Sequence, residues 1–292
     1  MSALICTLIS LMMAAPALAH GDDPHTAASV WTFDPWIVLP ITVISALYTF
    51  GIVRLSGRAR RLGARHRQSL FFYSGMLTLA GALISPLHWL GEHLFTFHMI
   101  EHEIVMAVSA PLIVLARPVG LLLWGLPKRA RLGLGAAMRT PLIRRSWDWS
   151  TGATSATAIH GVAIWGWHLP FLFDAAVTNT AMHRLQHLSF FATAVLFWWA
   201  VVWKSDYGAA AWHMFLTMLH TSILGALMAL APRVLYIAQT QTASAWGLTP
   251  LEDQQLAGMI MWVPAGTIYA AAAMTMLALW IRGSSERGAR NA

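Results

Sequence analysis

The sequence predicts an all-α integral membrane protein, a bundle of seven transmembrane helices that follows a cleaved signal peptide. The 292-residue chain is 57% hydrophobic and only 11% charged, which is more apolar surface than one water-soluble core can bury. The apolar residues fall into long runs, and the basic residues cluster between these runs. Composition and patterning therefore both indicate a protein of the lipid bilayer.

The predicted signal peptide covers residues 1–19. This stretch is apolar and ends in Ala17-Leu18-Ala19, the small-x-small pattern of a signal-peptidase site. An uncleaved anchor is the alternative, because no Lys or Arg precedes the apolar run. Cys6 is the only cysteine, so cleavage would leave a mature chain without a disulfide or a CxxC site. Residues 20–35 are then expected to face outward.

Seven apolar runs follow, and together they define an expected membrane domain over residues 36–281. Each run is long enough to cross most of a hydrocarbon layer about 30 Å thick at about 1.5 Å per residue. Each must be helical, because lipid cannot satisfy free backbone amides or carbonyls. The runs cover residues 36–53, 70–87, 96–116, 152–168, 183–203, 212–231 and 257–281.

The distribution of basic residues predicts the orientation of these spans. Arginines and lysines fill the first, third and fifth connections and residues 282–292, the expected cytoplasmic tail. By the positive-inside rule these segments are cytoplasmic, and the amino terminus lies outside. The formal charge of +7 therefore indicates topology rather than a nucleic-acid partner.

Histidines converge at the outward ends of the predicted spans. His98 and His102 begin the third span and His183 and His187 begin the fifth, and the i, i+4 spacing places each pair on one helix face. Ionisable groups within spans are costly and often mark a function. Imidazole and thioether without thiolate suit copper, expected as Cu(I), whereas zinc suits any place where three imidazoles meet. The candidate metal ligands are His98, His102, His168, His183, His187 and Met261, with Glu101, Asp174 and Asp253 as acceptors around them.

A structural role competes with each of these assignments. Any single histidine in a span can simply form an interhelical hydrogen bond, as we expect for His160, His213 and His220. His88 and His93 fit interfacial anchors at a helix end equally well. Two HxxxH pairs at matched depth are what favours metal binding.

Four motifs together resemble the multi-pass CtaG family of cytochrome c oxidase assembly factors, first associated with caa-type oxidases. The motifs are HMIEHEIVMAVSAPLIVLARP, WGWHLPFLFDAAV, HRLQHLSFFATAVLFWW and PLEDQQLAGMIMWVPAG, in the family's order. The resemblance covers most of residues 36–281. The family's motif positions correspond here to His98, His102, Trp167, His168, Pro170, Asp174, His183, His187, Asp253, Gln254, Gly258, Met261 and Trp262.

The resemblance implies a multi-pass protein of the bacterial plasma (inner) membrane that helps to mature heme-copper oxidase by placing copper in its catalytic subunit. The expected partners are that subunit and an outer-compartment copper chaperone, and no enzymatic activity is expected. The sequence HEIVM fails the HExxH pattern because Met106 stands where the second histidine is required. The alternatives are a heme-binding electron-transfer protein, and a metal-free scaffold or transporter.

Overall fold

The computed structural model of the chain describes residues 30–56 and 62–291. The predicted signal peptide and Cys6 lie outside the described residues. Within those residues all regular structure is helical and there is no strand. The α-helices, in chain order, are α1 (Pro35–Ser56), α2 (Leu62–Leu83), α3 (Pro86–His93), α4 (Phe95–Glu103), α5 (Ala110–Leu115), α6 (Val119–Gly125), α7 (Lys128–Ala137), α8 (Pro141–Ser150), α9 (Ala153–Trp167), α10 (Pro170–Thr178), α11 (Thr180–Trp199), α12 (Tyr207–Ala229) and α13 (Pro250–Asn291).

Helices lie at all seven stretches predicted to be spans. Fewer than seven of them meet the criterion for a membrane span, which is a helix of at least 18 residues with a sufficiently apolar stretch. Five helices of the described chain pass that criterion, or six if one bent pair forms a single span. The bent pair is Arg65–Leu83 with Pro86–His93, which meet at 43°. The break has a local cause, since Ser85 caps α3 through Leu87 N at 3.2 Å and Pro86 occupies the first helical position.

The expected span at 152–168 is the stretch that falls short. Its helix, α9, has 15 residues, which corresponds to a length of about 22 Å. It ends at Trp167 because Leu169, which precedes Pro170, is extended with ψ 127°, and a residue before proline is disfavoured in the helical region. This fourth predicted span is therefore too short to pass by itself.

The third expected span lies at the centre of the molecule. In the most apolar window of Phe95–Leu115, 67% of residues are buried, against 39% or less in the other candidate spans. A π-helical segment, Ile104–Ser109, joins α4 to α5. Because Ala110 N bonds to Val105 O, the carbonyl of Met106 accepts the Trp198 indole N–H instead, at 2.9 Å. This bond ties the central span to α11.

Glycines allow two pairs of helices to approach closely. A Cβ added at Gly51 would lie 2.0 Å from the carbonyl oxygen of Leu121, and one at Gly125 would lie 2.1 Å from that of Leu47. Added Cβ atoms at Gly225 and Gly258 would similarly clash across α12 and α13. Backbone-to-backbone packing of this kind is typical of membrane helices.

The outer surface of the bundle is strongly apolar. Leu77, Val162, Leu230 and Met274 are each more than 70% exposed, and soluble monomers rarely expose so many large apolar side chains together. The chain is therefore a helical, multi-pass membrane protein.

Candidate metal centre

The helix that carries the first histidine pair is anchored by an acid from the last helix. Leu94 precedes α4 and provides no side-chain cap. Asp253 of α13 takes that role: Oδ2 accepts from Phe95 N at 2.8 Å, and Oδ1 accepts from Thr96 N at 3.0 Å and from Thr96 Oγ1 at 2.7 Å. A carboxylate at a helix N-terminus also interacts favourably with the helix dipole. Asp253 thereby fixes where His98 and His102 lie.

A glycine brings α3 against the same helix. A Cβ added at Gly91 would lie 2.9 Å from Glu101 Oε2 and 3.3 Å from the Cα of His98. No larger residue fits there without a shift. This close approach carries His88, one turn earlier on α3, to the buried face of α4.

The two predicted histidine pairs face each other across α4 and α11. The ring centroids of His98 and His183 are 5.6 Å apart, and those of His102 and His187 are 5.0 Å apart. Nitrogen atoms of His98, His183 and His187 all lie within 4.8 Å of one another. The Nε2 atoms of His183 and His187 are 2.9 Å apart. Three imidazoles therefore converge on one point.

A second group adjoins the first and includes a carboxylate. Ligand atoms of His88, Glu101 and His187 also lie within 4.8 Å of one another. His88 Nδ1 is 2.8 Å from Glu101 Oε1, and His187 Nε2 is 3.6 Å from the same oxygen. Because Glu101 is fully buried, its charge requires partners, and the imidazoles are the nearest candidates.

Several nitrogens of the cluster lack a hydrogen-bond partner within the described chain. They are His98 Nε2, both ring nitrogens of His102, His168 Nε2 and His187 Nδ1. Buried polar atoms in native proteins are nearly always satisfied, so an unpaired group calls for an explanation. Of these residues, His98 and His187 belong to the convergent groups, and an unpaired imidazole nitrogen there fits a bound cation.

The comparisons with known proteins bear directly on this site. A family model described as cytochrome c oxidase caa3 assembly factor matches residues 46–283, which is more than half of the chain. The chain belongs to that family. No curated protein and no solved structure matched. The match confirms the predicted family, and the two histidine pairs of this caa3 assembly factor lie within the matched range.

Other motif residues of the caa3 assembly factor hold its framework. Gln254 Oε1 accepts from Leu235 N at 2.6 Å, which ties α13 to the loop over residues 230–249. We call it the outer loop because the sequence predicts that it faces outward. The Trp167 indole donates to Ser189 Oγ at 2.7 Å and so joins α9 to α11. Pro170 starts α10, and Gly258 permits the approach of α12. Trp262 is 38% exposed on the surface of α13.

The outer loop covers the end of the bundle that carries the cluster. The Tyr236 hydroxyl donates to His168 O at 2.8 Å, and Gln239 Nε2 donates to Gly91 O at 2.8 Å. Burial, with the charge of Asp174 nearby, raises the pKa of Tyr236, so this hydroxyl keeps the proton that it donates. Thr242 Oγ1 donates to His93 O. The loop thus shields the histidines from water.

Four of the predicted site residues lie outside the group formed by the imidazoles of His98, His183 and His187. His168 Nδ1 bonds to Ile164 O at 2.7 Å, and its ring lies 6.1 Å from that of Phe190, which also contacts His102. Met261 is buried within the apolar core. Asp174 accepts from Ala238 N at 3.3 Å, and Asp253 caps α4 as described. Their roles toward a metal remain predictions.

Glu101 lies beside the histidines, where an acceptor is expected. For His88 the sequence left a ligand and an interfacial anchor open, and the structure buries it against Glu101. Gln186 is fully buried and neither of its side-chain polar atoms has a partner among the described residues. The PLHWLGEH motif draws attention to His88, but the sequence does not show which residue of α4 the His88 side chain contacts. Nothing in the sequence distinguished Gln186.

One buried and two partly buried histidines, His160, His213 and His220, form the interhelical contacts expected of them. His160 Nδ1 lies 3.0 Å from Thr193 Oγ1, and His213 Nδ1 lies 3.1 Å from Thr157 Oγ1. The Trp165 indole donates to His220 Nδ1 at 3.4 Å. These contacts join α9 to α11 and α12, away from the two convergent groups.

Proposed function

We propose that this caa3 assembly factor binds copper at the buried histidine cluster and passes it to the catalytic subunit of a heme-copper cytochrome c oxidase. The observation that supports the proposal most is the convergence of His98, His183 and His187, whose ligand nitrogens lie within 4.8 Å of one another. Membership of the family gives a role in oxidase assembly. Copper is here a cargo and not a resident cofactor.

The donor set suits an ion that has to be released again. Three neutral imidazoles accept Cu(I) or Zn²⁺ without thiolate, the ligand that would bind copper more tightly. Transfer to an acceptor histidine is then ligand exchange, in which one imidazole replaces another and no bond of a substrate breaks. Burial of the cluster below the outer loop keeps the ion from water during storage. An oxidase, which contains copper itself, favours copper over zinc as the cargo.

The basic connections support an orientation for the membrane domain. We propose seven spans in the bacterial inner membrane, with a cleaved signal peptide, the amino terminus outside and the carboxyl terminus in the cytoplasm. Arginines on the α1–α2 and α5–α9 connections would then face the cytoplasm. The histidine cluster would lie in the outer part of the membrane, within reach of an outer-compartment copper chaperone and of the oxidase subunit.

Metal analysis of the purified full-length protein tests the proposal. We expect wild-type protein, reconstituted with Cu(I) and desalted, to retain copper, and single alanine variants at His98, His183 and His187 to retain much less. His160→Ala is the matched control, because His160 is equally buried but bonds to Thr193. Equal copper in all variants would refute binding at this cluster, and no copper in wild type would refute copper binding itself. A strong Soret band after purification would favour heme binding instead.

A further inference from the structure

The two convergent groups share one ligand atom. His187 Nε2 is 2.9 Å from His183 Nε2 in the all-imidazole group and 3.6 Å from Glu101 Oε1 in the other group. We call His88, Glu101 and His187 the acidic station, and His98, His183 and His187 the imidazole station. An imidazole nitrogen has one lone pair, so His187 Nε2 cannot bind two ions at once.

We infer that the cluster holds a single copper ion that occupies two stations in turn, loading at the acidic station and being held at the imidazole station. This inference rests on the proposed copper function and specifies the route of the cargo. His187 would remain bound throughout. The ion would lose His88 and Glu101 and gain His98 and His183, with no change in its oxidation state.

An exposed acid beside His88 identifies the acidic station as the entrance. The Glu92 side chain is 49% exposed and lies 3.8 Å from His88 Nε2, whereas the side chains of His88 and Glu101 are 6% and 1% exposed. Carboxylates that line a narrow approach concentrate cations and raise association rates. Glu92 would therefore capture the ion at the surface, and His88 with Glu101 would conduct it inward.

The imidazole station has the donor atoms of the holding position, and its ligands range from the buried His98 to the partly exposed His183 and His187. His98 is 2% exposed, and its Nε2 atom has no partner within the described chain. No described acid joins its group of ligands, so a carboxylate does not compete with imidazole there. Imidazole is the softer donor and suits Cu(I) better than carboxylate does.

The exchange also balances protons. In the absence of metal, His88 Nδ1 and Glu101 Oε1 share a hydrogen at 2.8 Å. A cation that binds His88 through Nδ1 leaves the single N–H of the neutral ring on Nε2, on the side of Glu92, so no proton is lost to water. When the ion moves on to His98 and His183, the N–H returns to Nδ1 and restores the hydrogen bond to the buried carboxylate.

Rapid-mixing measurements on the full-length protein in detergent test the inference, with Cu(I) supplied as a chelator complex. We expect wild type to bind one copper per chain. Glu92→Gln and His88→Ala should load about tenfold more slowly while retaining the same amount at equilibrium. His183→Ala should load at nearly the wild-type rate but lose affinity by about tenfold or more. His93→Ala is the control on α3, since His93 belongs to neither station.

The outcomes separate this inference from the proposed function. Two coppers per chain, or an equal loss of retained copper in His88→Ala and His183→Ala with unchanged loading rates, would overturn the two stations while leaving copper binding in place. Absence of copper from the wild-type protein would overturn both. Because Glu92 is exposed, Glu92→Gln keeps the test valid even if His88→Ala does not fold.

Discussion

Replacing Asp253 by alanine removes the acceptor that caps α4. Both carboxylate oxygens are used, by Phe95 N at 2.8 Å and by Thr96 N at 3.0 Å, and Asp253 itself is fully buried. The substitution leaves the α4 N-terminus without a side-chain cap, because Leu94 provides none. The perturbation therefore acts on the start of the helix that carries His98 and His102.

The size of the effect follows from these bonds. The cap consists of the bonds from two amide donors, and each donor left without an acceptor costs about 1–3 kcal/mol. We therefore expect Asp253→Ala to lower the free energy of unfolding by about 2–6 kcal/mol. At about 2 °C per kcal/mol for a chain of this size, the unfolding temperature should fall by about 4–12 °C.

A thermal unfolding scan of the detergent-purified protein measures this change. Asp253→Asn, which keeps one oxygen acceptor but loses the charge, should show an intermediate shift and retain copper. Glu252→Gln is the matched control, because Glu252 is exposed and bonds only to Thr249. A shift below about 2 °C for Asp253→Ala, or copper loss without any thermal shift, would refute the capping role and favour a direct role toward the histidines.

Three further results are expected. Gly258→Leu should lower the free energy of unfolding by about 1–3 kcal/mol or more, because its Cβ would lie 2.7 Å from Gly225 O. Gly81→Ala is the control and should leave stability unchanged, since no atom lies within 4 Å of the added Cβ. Equal stability of the two variants in an unfolding scan would contradict the close packing of α12 and α13. Tyr236→Phe, which removes the donor to His168 O at 2.8 Å, should cost about 1–3 kcal/mol, and an unchanged unfolding temperature would show that water satisfies this carbonyl. Topology reporters fused after residues 60 and 290 should report the cytoplasm, and one fused near residue 245 should report the outer compartment. An outside signal from the fusion at residue 290 would contradict the proposed seven-span orientation.

The helical framework and the meeting of the two histidine pairs were predictable from sequence. Apolar runs long enough for a bilayer require helices, and HxxxH at the matching ends of two spans places four imidazoles at one depth. His98, His183 and His187 do converge. The count of seven was less secure, because helix length depends on local breaks such as the one before Pro170.

Long-range partners could not be predicted from the same patterns. Asp253 was expected to orient a histidine, but it bonds to Phe95 and Thr96, 158 and 157 residues away. Its choice of partner depends on how α13 packs against α4, which periodicity does not determine. His88 reaches Glu101 because α3 bends by 43° from α2. That angle is likewise a property of the packed bundle.

The copper-to-heme ratio of the oxidase is the measurement closest to the proposed function. The oxidase is isolated from cells that lack this assembly factor and compared with oxidase from cells that carry it. Copper delivery predicts an oxidase that contains its hemes but is depleted of catalytic copper, because the defect lies in metal placement and not in heme synthesis or subunit folding. A normal copper-to-heme ratio in the deletion strain would contradict copper delivery and leave a metal-free role in assembly.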